Sequence, residues 1–361
     1  MLQFFKKLGR SKPSTFKPVI LVTGCSSGLG LALATLLYRQ RNYRVVVTAR
    51  TPSLPFLKRR FKEDDRFWIH SLDVTVEKER RTLIKNIEEK WGGVNILVNN
   101  AGISYRAVLE HMTEGDEYLQ LATNYLGPVG LMRLVLPYMR SQGRGKIINV
   151  SSVSGMLAMP TMASYSASKH ALEGASEALW YEAKPFGINV SLLQPGFIRS
   201  KSFERVYYTA LAKLTSDEGG AYADYYGNMR PFIARLMNRS LATPESVALR
   251  VLKVIRTENP PLWIPATLDA IVFYHIRRLL PRRLLQPLLF SALPNASRWG
   301  LGETRCRRRR THPTQAATNQ KILAFQRTRL ASSSVGMSDD GKNDSSGANT
   351  FKTERVRSSG T

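Results

Sequence analysis

Ser152, Tyr165 and Lys169 are the residues whose types and spacing could do chemistry. The serine stands thirteen positions before the tyrosine, and the lysine follows the tyrosine at i+4. If Tyr165 opens a helix, which the small residues Ser166, Ala167 and Ser168 permit, that interval stacks Tyr165 and Lys169 on one face. Both side chains then reach one ligand. A free phenol has a pKa of about 10, too high for efficient proton exchange near neutrality, and a neighbouring ammonium favours the phenolate. Tyr165 is thus the expected acid/base and Lys169 its expected activator. His170 points about 100° away along the same helix and is not expected to take part. Taken alone, Tyr-x-x-x-Lys is also an ordinary surface pair, so the residues around it have to decide.

Those residues are elements that hold a ligand. Ser152 follows an apolar run at 146–150, at what would be the carboxyl end of a strand, where open α/β sheets place their ligands. Near the start of the chain a β-rich run at 19–22 leads into Thr23-Gly24-Cys25-Ser26-Ser27-Gly28-Leu29-Gly30, and 31–37 reads as a helix. A strand, a glycine-rich turn and a helix start present unpaired backbone N–H groups to a pyrophosphate. The next strand, 44–50, ends in Arg50 with no acid beside it. An acid at that position would hold ribose hydroxyls, whereas an arginine accommodates a 2′-phosphate, so NADP(H) is expected over NAD.

A third strand over 67–74 ends near Asp73 and Val74. Asp73 reads either as an acceptor for an adenine amino group or as a helix cap. A helix over 77–91 stops at Gly92-Gly93, a strand begins at 94–98, and Asn99-Asn100-Ala101-Gly102 follows beside the expected cofactor. A further helix carries Asn124. Strands are expected at 188–193 and 263–265, with a helix between them capped by Thr243 and ending near Arg256.

In this order and at these intervals, Thr23-Gly24-x-x-x-Gly28-x-Gly30, Asn99-Asn100-Ala101-Gly102, Asn124, Ser152, Tyr165-x-x-x-Lys169 and Pro195-Gly196 resemble the short-chain dehydrogenases/reductases over residues 18–258. Residues 164–174 resemble the branch with hydroxysteroid and retinol dehydrogenases. The resemblance implies an α/β fold, a Rossmann-type doubly wound sheet of about seven parallel strands flanked by helices. It implies that Tyr165 exchanges a proton with the substrate oxygen, that Ser152 orients the carbonyl, and that Lys169 also binds the nicotinamide ribose. Asn124 would support a water-mediated proton path. Pro195, Gly196 and Ile198 would lie against the nicotinamide carboxamide, with Ser200 where the family commonly has threonine. No metal is required, since the nicotinamide carries the hydride. Pairing of two subunits through the helices around Asn124 and Lys169 is a further implication.

Residues 1–17 read as a flexible basic arm, 18–267 as the catalytic domain, 268–300 as a basic amphipathic extension and 301–361 as a disordered tail. Within the domain, 201–243 holds Phe203, Tyr207, Tyr208, Tyr222, Tyr225 and Tyr226, which suit either a lid over a bulky apolar alcohol or carbonyl or the packing side of two helices. In 268–300, apolar stretches alternate with arginine pairs and are cut by Pro281 and Pro287. That pattern suits an anionic membrane surface or packing on the protein, and does not suit a membrane span. The formal charge of +26 is strongest at the two ends. Charge alone favours nucleic acid, but the basic runs lack interleaved aromatic residues, so no specific nucleic-acid partner is expected. Two cysteines, Cys25 and Cys306, do not make a disulfide framework, and a cytoplasmic, non-secreted protein is expected. The competing reading is a catalytically silent dinucleotide-binding sensor or scaffold at a membrane surface. Retention of Asn124, Ser152, Tyr165 and Lys169 together argues against it.

Overall fold

Four apolar runs, at 19–22, 45–47, 96–98 and 147–150, carry side chains that disappear from solvent on both sides of the backbone. That is the mark of strands covered by helices on each face. The computed structural model describes residues 17–200, 206–218 and 221–300. Its sheet contains β1 Val19–Val22, β2 Arg44–Ala49, β3 Phe67–Ser71, β4 Ile96–Asn99, β5 Gly145–Val150, β6 Ile188–Gln194 and β7 Trp263–Pro265. All neighbours are parallel, in the order β3-β2-β1-β4-β5-β6-β7. The chain builds outward from β1 to β3, then returns to start β4 on the other side of β1. The carboxyl ends of β1 and β4 therefore diverge into a crevice, the switch point at which such sheets bind ligands.

Period-2 alternation divides the core into two layers. Ile20, Val22, Val45, Val47, Ile96 and Val98 face α1 Gly28–Arg39 and α9 Pro244–Arg256, which supply Leu33, Leu37, Val247 and Val251. Val19, Leu21, Val46, Leu97 and Ile147 face α3 Glu77–Trp91, α5 Gly127–Ser141 and α6 Ala163–Ala183. Each such side chain, fully buried, stabilises the fold by roughly 1.5–3 kcal/mol, so the sheet is a firm base for the loops at its carboxyl edge. The remaining helices are α2 Leu54–Arg60, α4 Glu114–Leu121, α7 Ala210–Glu218, α8 Ala223–Arg239, α10 Leu268–Leu279 and α11 Arg282–Ser291.

Several boundaries differ from the sequence expectation, for physical reasons. The strand expected over 67–74 ends at Ser71, because the Asp73 carboxylate turns back to accept from the Thr75 N–H at 2.9 Å and its hydroxyl at 2.7 Å. The strand expected from residue 94 begins at Ile96; before it, Val19 N–H is taken by the Asn95 side chain at 2.8 Å, while the Asn95 N–H donates to the Val19 carbonyl at 3.0 Å. Arg50 lies just past its strand and starts a short turn. Helix α6 starts at Ala163, so Tyr165 sits inside its first turn. Gly92 closes α3 in the left-handed region at φ 87°, and Thr243 caps α9 reciprocally with Ser246, both as expected. The arm before residue 17, Phe203 in the lid region and the tail from 301 onward lie outside the described residues.

Candidate active site

Glycines and one asparagine build the cofactor side. Gly24 and Gly28 take φ values of 71° and 54°, which a side chain would resist. A Cβ on Gly30 would overlap the Gly24 carbonyl and the Asn100 amide, so the loop at 24–30 and the loop after β4 close on each other only because these positions are bare. Asn100 locks them together: its Nδ2 donates to the carbonyls of Thr23 at 2.9 Å and Gly24 at 3.0 Å. The Thr23 hydroxyl accepts from the N–H groups of Asn100 and Ala101, each at 3.0 Å. Beyond this lock, α1 begins at Gly28 with no acidic residue in its first turn and no side chain capping its N–H groups. Its positive end is open to an anion.

A cavity of about 640 Å³ runs from this cradle across the carboxyl edge of the sheet. Gly24, Ser26, Ser27, Gly28, Leu29 and Gly30 line one end. Arg50, Asp73 and Val74 line the side beyond β2 and β3. Asn100, Ala101 and Gly102 form the floor, and Ser152, Tyr165, Lys169, Pro195, Gly196 and Ile198 line the far end. Two expected site residues stand behind the wall: Thr23 and Asn124 are buried at 1% and 0% exposure and serve as braces.

Asn124 lies in a π-helical turn, Ala122–Leu126, between α4 and α5. The extra residue of such a turn re-aims a side chain, and these turns cluster at functional sites. Here Asn124 accepts from Ile103 N–H and donates to Ile103 carbonyl, both at 2.9 Å, and donates to Ser168 Oγ at 3.0 Å. It thereby ties the loop after Gly102 to α6.

On α6, Tyr165, Lys169 and Glu173 follow at intervals of four and form one stripe toward the end of β5. The Tyr165 hydroxyl lies near the Ser152 side chain, which acts to lower its pKa. Ser152 in turn accepts from Ser154 N–H at 3.1 Å, which orients its hydroxyl. Lys169 Nζ donates to the Val150 carbonyl at 2.9 Å and stands 5.8 Å from the centre of the Tyr165 ring. The electrostatics correct the expectation of a phenol made acidic by its lysine. Burial lifts the Tyr165 pKa above the ordinary phenol value. The groups that pull it back are the Ser152 hydroxyl and the Arg106 guanidinium. Burial also presses Lys169 down to about 8, against the opposing pull of Glu173. Desolvation is the largest cause of both shifts, raising a phenol and lowering an ammonium. His170 is exposed, with Nδ1 at 2.9 Å from the Ser166 carbonyl, and stays out of the site as expected.

Three residues near the site went unnoticed in the sequence. Glu173, 6% exposed, accepts from Ser151 Oγ at 2.6 Å and Gln194 Nε2 at 2.8 Å, and so joins the ends of β5 and β6 to α6. Continuing the i+4 stripe by one more step would have found it. Arg106 lines the cavity beside Tyr165 and bears no motif. Asp269, at the start of α10, accepts from Phe197 N–H at 2.8 Å, while Thr267 Oγ1 accepts from Gly196 N–H at 2.9 Å. The loop of Pro195, Gly196 and Ile198 is therefore held from the C-terminal extension.

Comparison with known proteins decides among the folds that share this edge. Residues 18–209 match the family model described as short chain dehydrogenase. The chain belongs to the short-chain dehydrogenase/reductase family. The 3-ketodihydrosphingosine reductase of Bacteroides thetaiotaomicron is 34% identical over 269 residues, covering 74% of this chain and 95% of that protein. A short-chain dehydrogenase from Streptomyces avermitilis superposes with a TM-score of 0.64 at 32% identity, across 77% of this chain and 98% of that one. ElxO, solved with NADP bound, superposes with a TM-score of 0.57 at 25% identity, across 70% and 97%. As a short-chain dehydrogenase/reductase, the chain is an oxidoreductase that works with a nicotinamide dinucleotide. The uncapped α1 N-terminus and the glycine cradle, closed by backbone contacts that a Cβ would break, fit the phosphates of that group.

Of the two uses that suit the tyrosines of 201–243, facing a substrate or packing the helices, the described residues favour packing. Tyr207, Val206, Ile233 and Met237 line the cavity. Tyr226 is instead buried against α8's own neighbours, accepting from Val108 N–H at 3.0 Å and standing 2.8 Å from His111 Nδ1. Tyr225 packs against Trp299, with ring centroids 4.5 Å apart and the planes tilted by 39°. Most of the tyrosines pack the lid onto the body, and mainly aliphatic side chains face the substrate space.

Proposed function

We propose that this protein is an NADP(H)-dependent oxidoreductase that interconverts an alcohol and a carbonyl on a bulky apolar substrate. The observation that carries the reading is the pair of hydroxyls on Tyr165 and Ser152, which stand in the wall of one cavity continuous with the phosphate cradle. When bound, the nicotinamide supplies or accepts the hydride at the substrate carbon. Ser152 and Tyr165 hold the substrate oxygen between them, and in the reducing direction Tyr165 gives it a proton. Its raised pKa keeps the phenol protonated until that moment, which suits a proton donor. Lys169, charged below about pH 8, holds the ribose and favours the phenolate as it forms. Asn124 and Glu173 act through position, fixing α6 against the loops at 103 and 151.

The cofactor preference rests on Arg50. It is exposed at the cavity edge with Ser53 nearby, and Asp73 has one carboxylate oxygen committed to Thr75. ElxO was solved with NADP bound, which agrees. A charge-assisted bond to a phosphate is worth roughly 1.5–3 kcal/mol, so Arg50→Glu is expected to weaken NADPH binding by about tenfold or more. NADH binding should change little. Titration of both cofactors against wild type and variant checks this, and equal losses for the two would refute the assignment.

Apolar substrates are favoured by Met159, Met162, Phe197, Ile233 and Met237 along the cavity. A steroid, a retinoid or a long-chain carbonyl fits the reading, and the relative named 3-ketodihydrosphingosine reductase favours the last. A screen of NADPH consumption against long-chain, cyclic and sugar carbonyls tests it. Turnover is expected with the first two, and preference for sugars would remove the idea. Exposed Tyr118, Leu126 and Tyr181 on and between α4, α5 and α6 support a homodimer through those elements. Among the described residues no helix is long and apolar enough to cross a membrane. Peripheral association through 268–300 is the reading we favour for that extension.

A further inference from the structure

Helices α10 and α11 have two faces. The inner one packs Ala270 and Leu285 on Val153, Met156 and Leu157, the segment that follows Ser152. The outer one leaves large apolar side chains in water. On α10, Leu268, Val272 and Leu279 are each more than half exposed, at spacings of four and seven that put them on one stripe. On α11, Leu284, Leu288 and Phe290 are exposed to a similar extent. Arg278, Arg282 and Arg283 are interleaved with them and exposed. Residues 268–300 contain one acid, Asp269, and it is turned inward onto Phe197. The outward face is therefore apolar and cationic, with no carboxylate of its own.

Two occupants compete for such a face. A second copy of this chain, paired symmetrically through this face, would bring together two surfaces that each carry Arg278, Arg282 and Arg283, both cationic. An anionic lipid surface offers acyl chains to the leucines and phosphate to the arginines. Charge complementarity selects the lipid.

The same two helices also hold the active site. Thr267 and Asp269 fix the loop at Gly196 and Phe197. Arg277 bonds the Met156 carbonyl, four residues past Ser152. Asn295, just beyond α11, donates to Asn228 of α8 at 2.9 Å, and the Trp299 ring packs against Tyr225 of the same helix. Each attachment reaches a segment that lines the cavity: the 195–200 loop, the 152–159 segment and α8. We propose that α10 and α11 dock on an anionic bilayer surface, and that docking opens the cavity to substrate dissolved in that bilayer. Only the second half rests on the reductase reading.

The test uses the full chain with vesicles of phosphatidylcholine, with or without phosphatidylserine. Sedimentation with vesicles reads binding. Wild type is expected to bind the anionic vesicles at least about tenfold more tightly than the neutral ones, with the difference shrinking as salt rises. The pairs Leu279→Asp with Leu284→Asp, and Arg278→Glu with Arg282→Glu, should each abolish the gain. The second readout is kcat/KM with NADPH for a vesicle-dissolved long-chain ketone and for a short water-soluble one. Anionic vesicles should raise the first several-fold in wild type and in neither variant. The soluble ketone should be turned over equally by all three proteins, which shows that the variants fold. Equal binding to both vesicle types, or undiminished binding by the variants, overturns the docking. A wild-type dimer that the leucine variant turns into monomer assigns the face to a second copy and overturns it as well. Binding as expected with unchanged kcat/KM for the dissolved ketone overturns the coupling. Failure of wild type to turn over either ketone contradicts the reductase reading, while the sedimentation result stands.

Discussion

Tyr165→Phe is expected to lower kcat by about a hundredfold to ten-thousandfold, the range over which a positioned acid/base contributes. The substitution removes one oxygen and leaves the ring, which is only partly exposed in the cavity wall. Ser152 keeps its bond from Ser154 N–H, so its hydroxyl stays oriented. The cradle of Gly24, Gly28 and Gly30 lies at the other end of the cavity and is untouched. NADPH affinity should therefore stay within about threefold of wild type, the signature of an interaction made mainly in the transition state. Stopped-flow turnover and cofactor titration on the same protein separate the two. A variant that keeps a tenth of the wild-type kcat would contradict the role.

Lys169→Met carries the second large effect. The lysine is 5% exposed and its ammonium is held by the Val150 carbonyl. Its loss removes a charged donor from the place where the nicotinamide ribose and the forming phenolate would both lie. Loss of one such donor typically costs about a hundredfold to a thousandfold in rate, and kcat/KM for NADPH should fall by at least that factor. The pH profile gives the sign. A lysine is charged below its pKa, and burial has brought this one to about 8. For wild type, kcat/KM for NADPH should be level below that pH and decline above it as the charge is lost. The decline should be missing in Lys169→Met, which lacks the titrating group. A wild-type profile level through about pH 9.5 would contradict this, since Lys169 would then keep its charge throughout.

Much of this was readable before any coordinates. The strands showed because a sheet covered on both faces needs apolar runs, and 19–22 or 45–47 suit little else. The glycine turn showed because bare positions between a strand and a helix have few other uses. What stayed hidden depended on distance along the chain or on desolvation. Asp269 reaches Phe197 across seventy-two positions, and no local pattern announces that. The π turn at Asn124 has no residue type of its own, since one extra residue in a helix leaves its composition unchanged. The lid tyrosines presented the same side-chain types for packing as for binding, and only the bond from Val108 N–H to Tyr226 showed which face was inward. The i+4 interval joined Tyr165 to Lys169 correctly but could not weigh burial against charge, and burial set both pKa values.

Product analysis tests the central claim most directly. Purified protein, NADPH and a long-chain ketone should yield the corresponding alcohol with one NADPH oxidised per alcohol formed, and the Tyr165→Phe protein should yield almost none. Alcohol formed at the same rate by both proteins, or NADPH bound with no alcohol from any apolar ketone, would contradict it.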